Sequence, residues 1–254
     1  MQDLMEFAVD IARQAGMLTL THFRAVDLVV DRKRDHTPVT VADRQAEALL
    51  RQLIADRFPA DAVVGEEQAD TAGTSGRTWY LDPIDGTKSF IHGVPMYTNL
   101  VACHDADGPL VGVINTPALG ETTWAGRGAG CFHNDRVARV STTADLAEAY
   151  VMTSGLEWWP PAIRPLALDP PFTLRTWGDG YGYSLVATGR VEAMVDPGAE
   201  IWDLAPLPVI IGEAGGRFTR IDGTDAAAPA AGSAVASNAL VHDAVLAHLG
   251  TISG

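Results

Sequence analysis

Basic residues are scarce in this sequence: 18 lysines and arginines stand against 32 aspartates and glutamates, for a net charge of −14 at pH 7. Nucleic acids and anionic membranes are bound through basic patches, so neither is expected as a partner. Cysteine is scarcer still. Cys103 and Cys131 are the only two, each in an apolar, strand-like stretch. A disulfide framework or a zinc site would need more ligands at closer spacing, so both are expected as buried free thiols. No apolar run approaches the roughly 20 residues that span a bilayer. The opening MQDLMEFAVD is acidic and amphipathic, unlike the basic-then-apolar layout of a secretory signal, and a cytoplasmic location is expected. Internal repeats are lacking, and the short low-complexity stretch AAAPAAG at 226–232 reads as a surface loop.

What is present is a chain of 254 residues, 47% hydrophobic, enough for one large domain or two intimately packed ones. Leu4, Phe7, Ala8, Ile11, Ala15 and Leu18 recur at helical spacing and predict an amphipathic helix over 3–23. A charged, proline-interrupted loop follows at 31–40, after which Ala42, Ala46, Leu49 and Leu53 restart the helical period as far as Phe58. Short apolar runs at 62–65 and 78–81 each end in acidic residues, the pattern of strands that deliver carboxylates at their tips. From Tyr97 to Val140, β-rich runs alternate with turn signals such as DADG and GRGAG, which predicts an antiparallel meander. Beyond it strand-like and helix-like runs alternate, as in an α/β unit. The expected organisation is an α+β subdomain over 1–143 and an α/β subdomain over 144–254.

Residues 81–90, LDPIDGTKSF, place two aspartates three residues apart immediately before Gly86 and Thr87. Two phosphate chemistries could use them. Haloacid-dehalogenase-like phosphatases set a strand before Asp-x-Asp-Gly-Thr and attack phosphorus with the first aspartate, but here that position is Pro83, and Asp82, one residue further back, turns to the other face of an extended strand. In the other chemistry both aspartates hold metal ions and water attacks. A strand end breaking at Pro83 converges Asp82 and Asp85 while the Ile84 carbonyl adds a third hard oxygen, a set that suits Mg²⁺. Gly86 to Ser89 would then open a helix whose free N–H groups cradle an anion. Divalent cations also answer the problem of an acidic chain handling phosphate, since they reverse the field locally. Were Asp82 a mere turn residue and Asp85 an N-cap, no partner carboxylates would be needed elsewhere. Yet Gly65-Glu66-Glu67 sits at another strand tip, and Trp202-Asp203 precedes a helix in the second half.

GEE, DPIDGTKSF, and Trp202-Asp203 followed by EAGG at 213–216, in that order, resemble the inositol monophosphatase family of Mg²⁺-dependent, lithium-sensitive phosphatases. The resemblance runs through nearly all of the chain: PVTVADRQAE at 38–47 looks like the family's mobile metal-binding loop, and LVATGRVEAMVDP matches in the second half. It implies an α/β protein built as a layered α-β-α-β-α sandwich of two subdomains, usually dimeric, with the site between them. It implies further that Glu66, Asp82 and the Ile84 carbonyl hold one Mg²⁺, that Asp82, Asp85 and Asp203 hold a second, and that Glu66 and Asp43 lie near a weaker third. Thr87 would orient the attacking water, with Glu66 taking its proton, while Gly86 and Thr87 supply phosphate-binding amides to a small phosphorylated metabolite. Pro206 and Pro208 depart from the family by falling inside the helix after Asp203, which puts the start of that helix in doubt. A catalytically silent binding module would show a broken ligand set, and Glu66, Asp82, Asp85, Thr87 and Asp203 are all there.

Within the family, a cationic substrate should show as added acid in the recognition wall. The stretch 175–197 is similar to the histidinol-phosphatases of this family, especially the actinobacterial type, which carry a Gly-Asp dipeptide ahead of an aromatic-rich helix, here Gly178-Asp179. Asp196 stands where the family has a substrate-binding glutamate, one methylene shorter. Asp179 and Asp196 are therefore expected at the substrate, although an aspartate in Asp179's position also serves well as a helix N-cap. Inositol phosphate or another small phosphate ester stays open as substrate. No histidine shows ligand-like spacing, and none is expected to be catalytic.

Overall fold

The computed structural model describes residues 1–33, 37–226 and 230–250. The expected loops at 31–40 and 226–232 thus fall partly, at 34–36 and 227–229, outside the described residues. In chain order the first half carries α1 (Gln2–His22), β1 (Val30–Arg32), β2 (Pro38–Thr40), α2 (Val41–Arg57), β3 (Ala62–Gly65), β4 (Thr78–Asp85), α3 (Thr87–Ile91), β5 (Thr98–Asp105), β6 (Gly108–Thr116), β7 (Glu121–Gly126), β8 (Gly130–His133) and β9 (Arg136–Val137). The second half adds β10 (Tyr150–Met152), β11 (Thr173–Arg175), α4 (Asp179–Ala187), β12 (Ala193–Ala199), α5 (Ile201–Leu204), α6 (Leu207–Glu213), β13 (Arg217–Thr219), β14 (Gly232–Ser237) and α7 (His242–Gly250).

Strands β3 to β9 form a seven-stranded sheet in chain order, and β11-β10-β12-β14-β13 form a five-stranded one. Helices α1 and α2 pack on the outer face of the large sheet, α4 and α6 lie between the two sheets, and α7 covers the small sheet. The result is a layered α-β-α-β-α sandwich. Alternation along the strands supplies both faces: Val101 and Cys103 join the core under α1 and α2, whereas Leu100 between the sheets meets Ile114, Met194 and Ile210. Likewise Val195 and Val235 face outward towards α7 while Met194 and Ala236 face in. Each fully buried Leu- or Ile-sized side chain contributes about 1.5–3 kcal/mol, so the three layers of core dominate the stability. Cys103 and Cys131 are buried and free, and burial pushes both thiols up to about 12.

Four details differ from the sequence reading. The large sheet is antiparallel from β4 onward, but β3 and β4 run parallel. That pairing sets Gly65 opposite Leu81 and brings the ends of both strands to the same edge, which an antiparallel pair would not do. The small sheet is mixed, parallel at β10–β11 and β10–β12 and antiparallel at β12–β14 and β13–β14. The loop at 31–40 contains a short antiparallel ladder, β1 with β2. The helix after Asp203 is split: α5 ends at Leu204, Pro206 caps α6, and Pro208 falls in the first turn of α6, where a missing N–H costs no internal bond. Among the described residues no helix is long and apolar enough to cross a membrane.

Candidate active site

Strand β4 does not stop at Pro83. It carries a bulge there: Asp82 pairs with Leu100 and Asp85 with Thr98, so one extra residue sits on the β4 side. A bulge re-aims side chains, and this one turns both aspartates, otherwise on opposite faces, into one cleft. The buried Asn99 pins it by donating to the Pro83 carbonyl at 2.6 Å. Asp203, in the single turn of α5, arrives from the other half. One carboxylate oxygen from each of Asp82, Asp85 and Asp203 lies within 4.8 Å of the others.

One oxygen of each of these aspartates is already held. Asp82 Oδ1 accepts from the Ile84 amide at 3.0 Å, Asp85 Oδ2 from Thr98 Oγ1 at 2.8 Å and from the Gly180 amide, and Asp203 Oδ2 from the Glu200 amide at 2.8 Å. Such anchoring orients a carboxylate while leaving its second oxygen for a cation. Without a cation the cluster is electrostatically costly. Burial, then repulsion from Glu66, Asp85 and Asp203, pushes Asp82 well above the usual carboxylate range, and burial with repulsion from Asp85 does the same to Asp203. Asp85 is pushed up to about 6, chiefly by burial. Hard oxygens, several negative charges and free lone pairs together fit a small divalent cation such as Mg²⁺.

Glu66 reaches the same edge from the turn after β3. That turn is fastened by a residue the sequence reading quoted but gave no role: buried Glu47 accepts from the amides of Glu67 and Gln68 at 2.7 and 3.1 Å and is paired with Arg51 at 2.7 Å. An acid and an arginine four apart on α2 were the available signal. Lys33, also unforeseen, bridges Glu66 and Glu67 at 2.7 and 2.6 Å. Burial lowers the lysine's affinity for its proton, but the two glutamates outweigh it and the net direction is up. Asp43 lies beside this group and outside the cleft lining. It closes a capping box on α2, its Oδ2 accepting from Thr40 N and Oγ1 at 2.8 and 2.6 Å, while its buried Oδ1 has no partner among the described residues. Burial, and to a lesser degree Glu66, raises its pKa.

Gly86 follows with φ of 79°, a left-handed conformation glycine adopts freely, and α3 begins at Thr87. Thr87 Oγ1 donates to the Ile84 carbonyl at 3.0 Å, which commits its proton and leaves its lone pairs to accept. Asp179 faces Gly86 from the opposite side: a Cβ on Gly86 would stand 2.8 Å from Asp179 Oδ2. The N-cap of α4 is Gly178 rather than Asp179, whose own φ is +54° and whose carboxyl is pushed up to about 8 by burial, then by Asp85 and Asp196. Asp196 is occupied on both oxygens. Oδ1 accepts from Ser154 Oγ at 2.8 Å and Oδ2 from Tyr183 at 2.8 Å, while Ser154 Oγ in turn accepts from the Asp179 amide at 3.0 Å. Ser154 was not singled out from sequence, where nothing marks it. Glu66, Asp82, Asp85, Thr87, Asp179 and Asp203 line one cleft of about 1020 Å³, together with Gly86, Ser154, Asp196 and Lys33.

Comparison with known proteins gives a consistent answer. The family model described as "Inositol monophosphatase family" matches residues 1–253. The histidinol-phosphatase of Mycobacterium tuberculosis is 43% identical over 256 residues, covering 97% of each chain. A fructose-1,6-bisphosphatase/inositol-1-monophosphatase of Thermotoga maritima is 31% identical over 245 residues, covering 96% of this chain and 94% of that one. Among solved structures, an IMPase from Thermotoga maritima superposes with a TM-score of 0.89 at 30% identity, covering 99% of this chain and 98% of that one.

Proposed function

This chain belongs to the inositol monophosphatase family, a Mg²⁺-dependent family of phosphoric monoester hydrolases, and from that premise we propose that it hydrolyses histidinol phosphate to histidinol and phosphate. The 43% identity to a histidinol-phosphatase over 97% of both chains carries the choice of substrate; the anchored carboxylate trio carries the choice of chemistry. A second reading, inositol phosphate or a wider range of small phosphate esters, is favoured by the 31% identical relative named for two such substrates.

Two or three ions are assigned per site. Asp82, Asp85 and Asp203 would share one, Glu66, Asp82 and the Ile84 carbonyl another, and Asp43 with Glu66 would lie near a weaker third. When bound, Mg²⁺ supplies Lewis acidity, activating water at neutral pH and neutralising charge on the phosphoryl group and the departing oxygen. The chain's own residues do the rest. Thr87, its proton committed to Ile84, accepts a hydrogen bond from the attacking water and so fixes its direction. Glu66 takes the water's proton once Lys33 has yielded it. Gly86 and Thr87 offer backbone amides from a first turn that has no internal acceptors. Asp179 and Asp196 remain the assigned substrate-side carboxylates, Asp196 reaching the cleft through Ser154.

The same reading assigns the two sheets to subdomains joined near residue 143, a homodimer, and a cytoplasmic setting with a small phosphorylated metabolite as partner. Phosphate release from histidinol phosphate, inositol 1-phosphate and adenosine 3′,5′-bisphosphate with Mg²⁺ tests the substrate. A kcat/KM highest for histidinol phosphate is expected; a higher value for either of the others replaces it.

A further inference from the structure

The carboxylates expected at the substrate both sit towards the phosphate end of the cleft, Asp179 against Gly86 and Asp196 beneath Ser154. The wall further out is the single 3₁₀ turn Leu156–Trp158. It is fastened from behind: buried Trp159 donates from Nε1 to Thr153 Oγ1 at 2.9 Å, and Arg164 holds the Trp159 carbonyl at 2.8 Å. Glu157 and Trp158, by contrast, are exposed and line the cleft. The Glu157 carboxylate folds back over Gly155, where a Cβ would stand 2.8 Å from its Cδ, so only glycine leaves it that place.

Between these two side chains lies a cation. The Lys88 ammonium is 3.1 Å from Glu157 Oε1 and 4.6 Å from the centroid of the Trp158 ring. A carboxylate and an indole face converging on one ammonium form a receptor for an organic cation, and desolvation by a bound ligand strengthens both contacts. Lys88 fills it from the residue next to Thr87, on a long exposed stem, and a phosphate dianion arriving at Gly86 and Thr87 competes for that ammonium. The other acid–tryptophan pair in the cleft, Glu200 and Trp202, is not equivalent, because it flanks Asp203 of the carboxylate trio, whose Oδ2 accepts from the Glu200 amide at 2.8 Å.

We infer that Glu157 and Trp158 are specificity-determining residues that bind the cationic, planar heteroaromatic end of the phosphomonoester, Glu157 by charge and Trp158 by its ring face, in the place Lys88 holds when substrate is absent. The inference rests on the proposed histidinol phosphate activity and adds where that substrate's amine and ring are read. A neutral polyol phosphate has neither group and gains nothing there.

Steady-state kinetics of Mg²⁺-loaded Glu157→Gln, Trp158→Ala and Trp158→Phe on histidinol phosphate and inositol 1-phosphate test it, with calorimetric titration of L-histidinol as the binding readout. For histidinol phosphate, Glu157→Gln and Trp158→Ala should each raise KM about 10-fold with kcat little changed, and weaken L-histidinol similarly. Trp158→Phe should retain most of the affinity. KM for inositol 1-phosphate should stay as in the wild type. If both substrates weaken alike, or neither does, while the wild type prefers histidinol phosphate, this subsite is wrong and the function stands. A wild type that prefers inositol 1-phosphate overturns both.

Discussion

The backbone amide of Gly180, in the first turn of α4, donates to the Asp85 carboxylate at the end of β4, so a metal-ligand candidate of the first half is oriented by the main chain of the second. A Cβ at position 180 would collide with Thr98 Oγ1 and stand 2.7 Å from Asp85 Oδ2. Gly180→Ala should therefore displace Asp85 and weaken Mg²⁺ about 10-fold or more, the usual scale for losing a group that orients a ligand. Titration of Mg²⁺ by calorimetry measures it, and unchanged affinity would show that Asp85 does not depend on this amide.

Repulsion among buried carboxylates gives a prediction of two signs. Asp82→Asn, Asp85→Asn and Asp203→Asn should each lower kcat by about 10³-fold or more. Asp82→Asn should at the same time raise the melting temperature of the metal-free protein, because it removes a charge that burial and three neighbouring acids disfavour. The rise in melting temperature on adding Mg²⁺ should shrink in the variant. A metal-free variant less stable than wild type would count against a repulsive cluster.

Thr87→Ala should reduce kcat roughly 10²-fold and change KM little, since directing water matters in the transition state and not in substrate binding. Thr87→Ser, which keeps the hydroxyl bonded to Ile84, should recover most of the rate. A KM effect larger than the kcat effect would move Thr87 from the water to the substrate.

Position 83 is proline, so no aspartate stands where a phosphorus-attacking one would, and a single displacement by water is expected. Hydrolysis of a substrate made chiral at phosphorus with oxygen isotopes should then invert configuration. Retention would signal two displacements and a phosphoenzyme.

His242 lies in the outer core of the small sheet, between Thr219 Oγ1 at 2.9 Å and Ser237 Oγ at 2.8 Å. Burial, then Arg217, lowers its pKa to about 4 from 6.5. The unfolded chain therefore binds this proton more readily, so the stability contributed by neutral His242 is fully present above pH 6.5 and is lost as pH falls towards 4. The urea midpoint of the wild type should drop through that window, and His242→Gln should show a shallower slope despite a lower midpoint at pH 7.5.

The candidate site was readable in the sequence because its pattern is local: Asp82 and Asp85 flank a proline, Glu66 follows a strand tip, and each announces itself by position. The antiparallel meander was legible in β-rich runs such as Leu100 to Cys103, whereas the layered sandwich was implied by the family resemblance. What stayed hidden was relational. Nothing in the run 78–85 says that the strand continues through Pro83 with a bulge, because the extra residue is defined only against Leu100 and Thr98 on its partner. Parallel pairing of β3 with β4 depends on where the intervening chain crosses. The tie from Asp196 through Ser154 to Asp179 spans 42 residues at its longest step, and no spacing rule reaches that far.

Pro206, between α5 and α6, is also a point of contact between the halves. Gly112, on β6, faces the main chain of Pro206, and any Cβ there would collide with it. The two halves therefore touch at this point through bare backbone, whose dimensions no neighbouring side chain sets. Core residues elsewhere can be exchanged for others of similar bulk without altering this spacing. Mutational drift in the layers should thus leave the distance from Asp203 to the β4 edge untouched, while position 112 itself should accept almost no replacement.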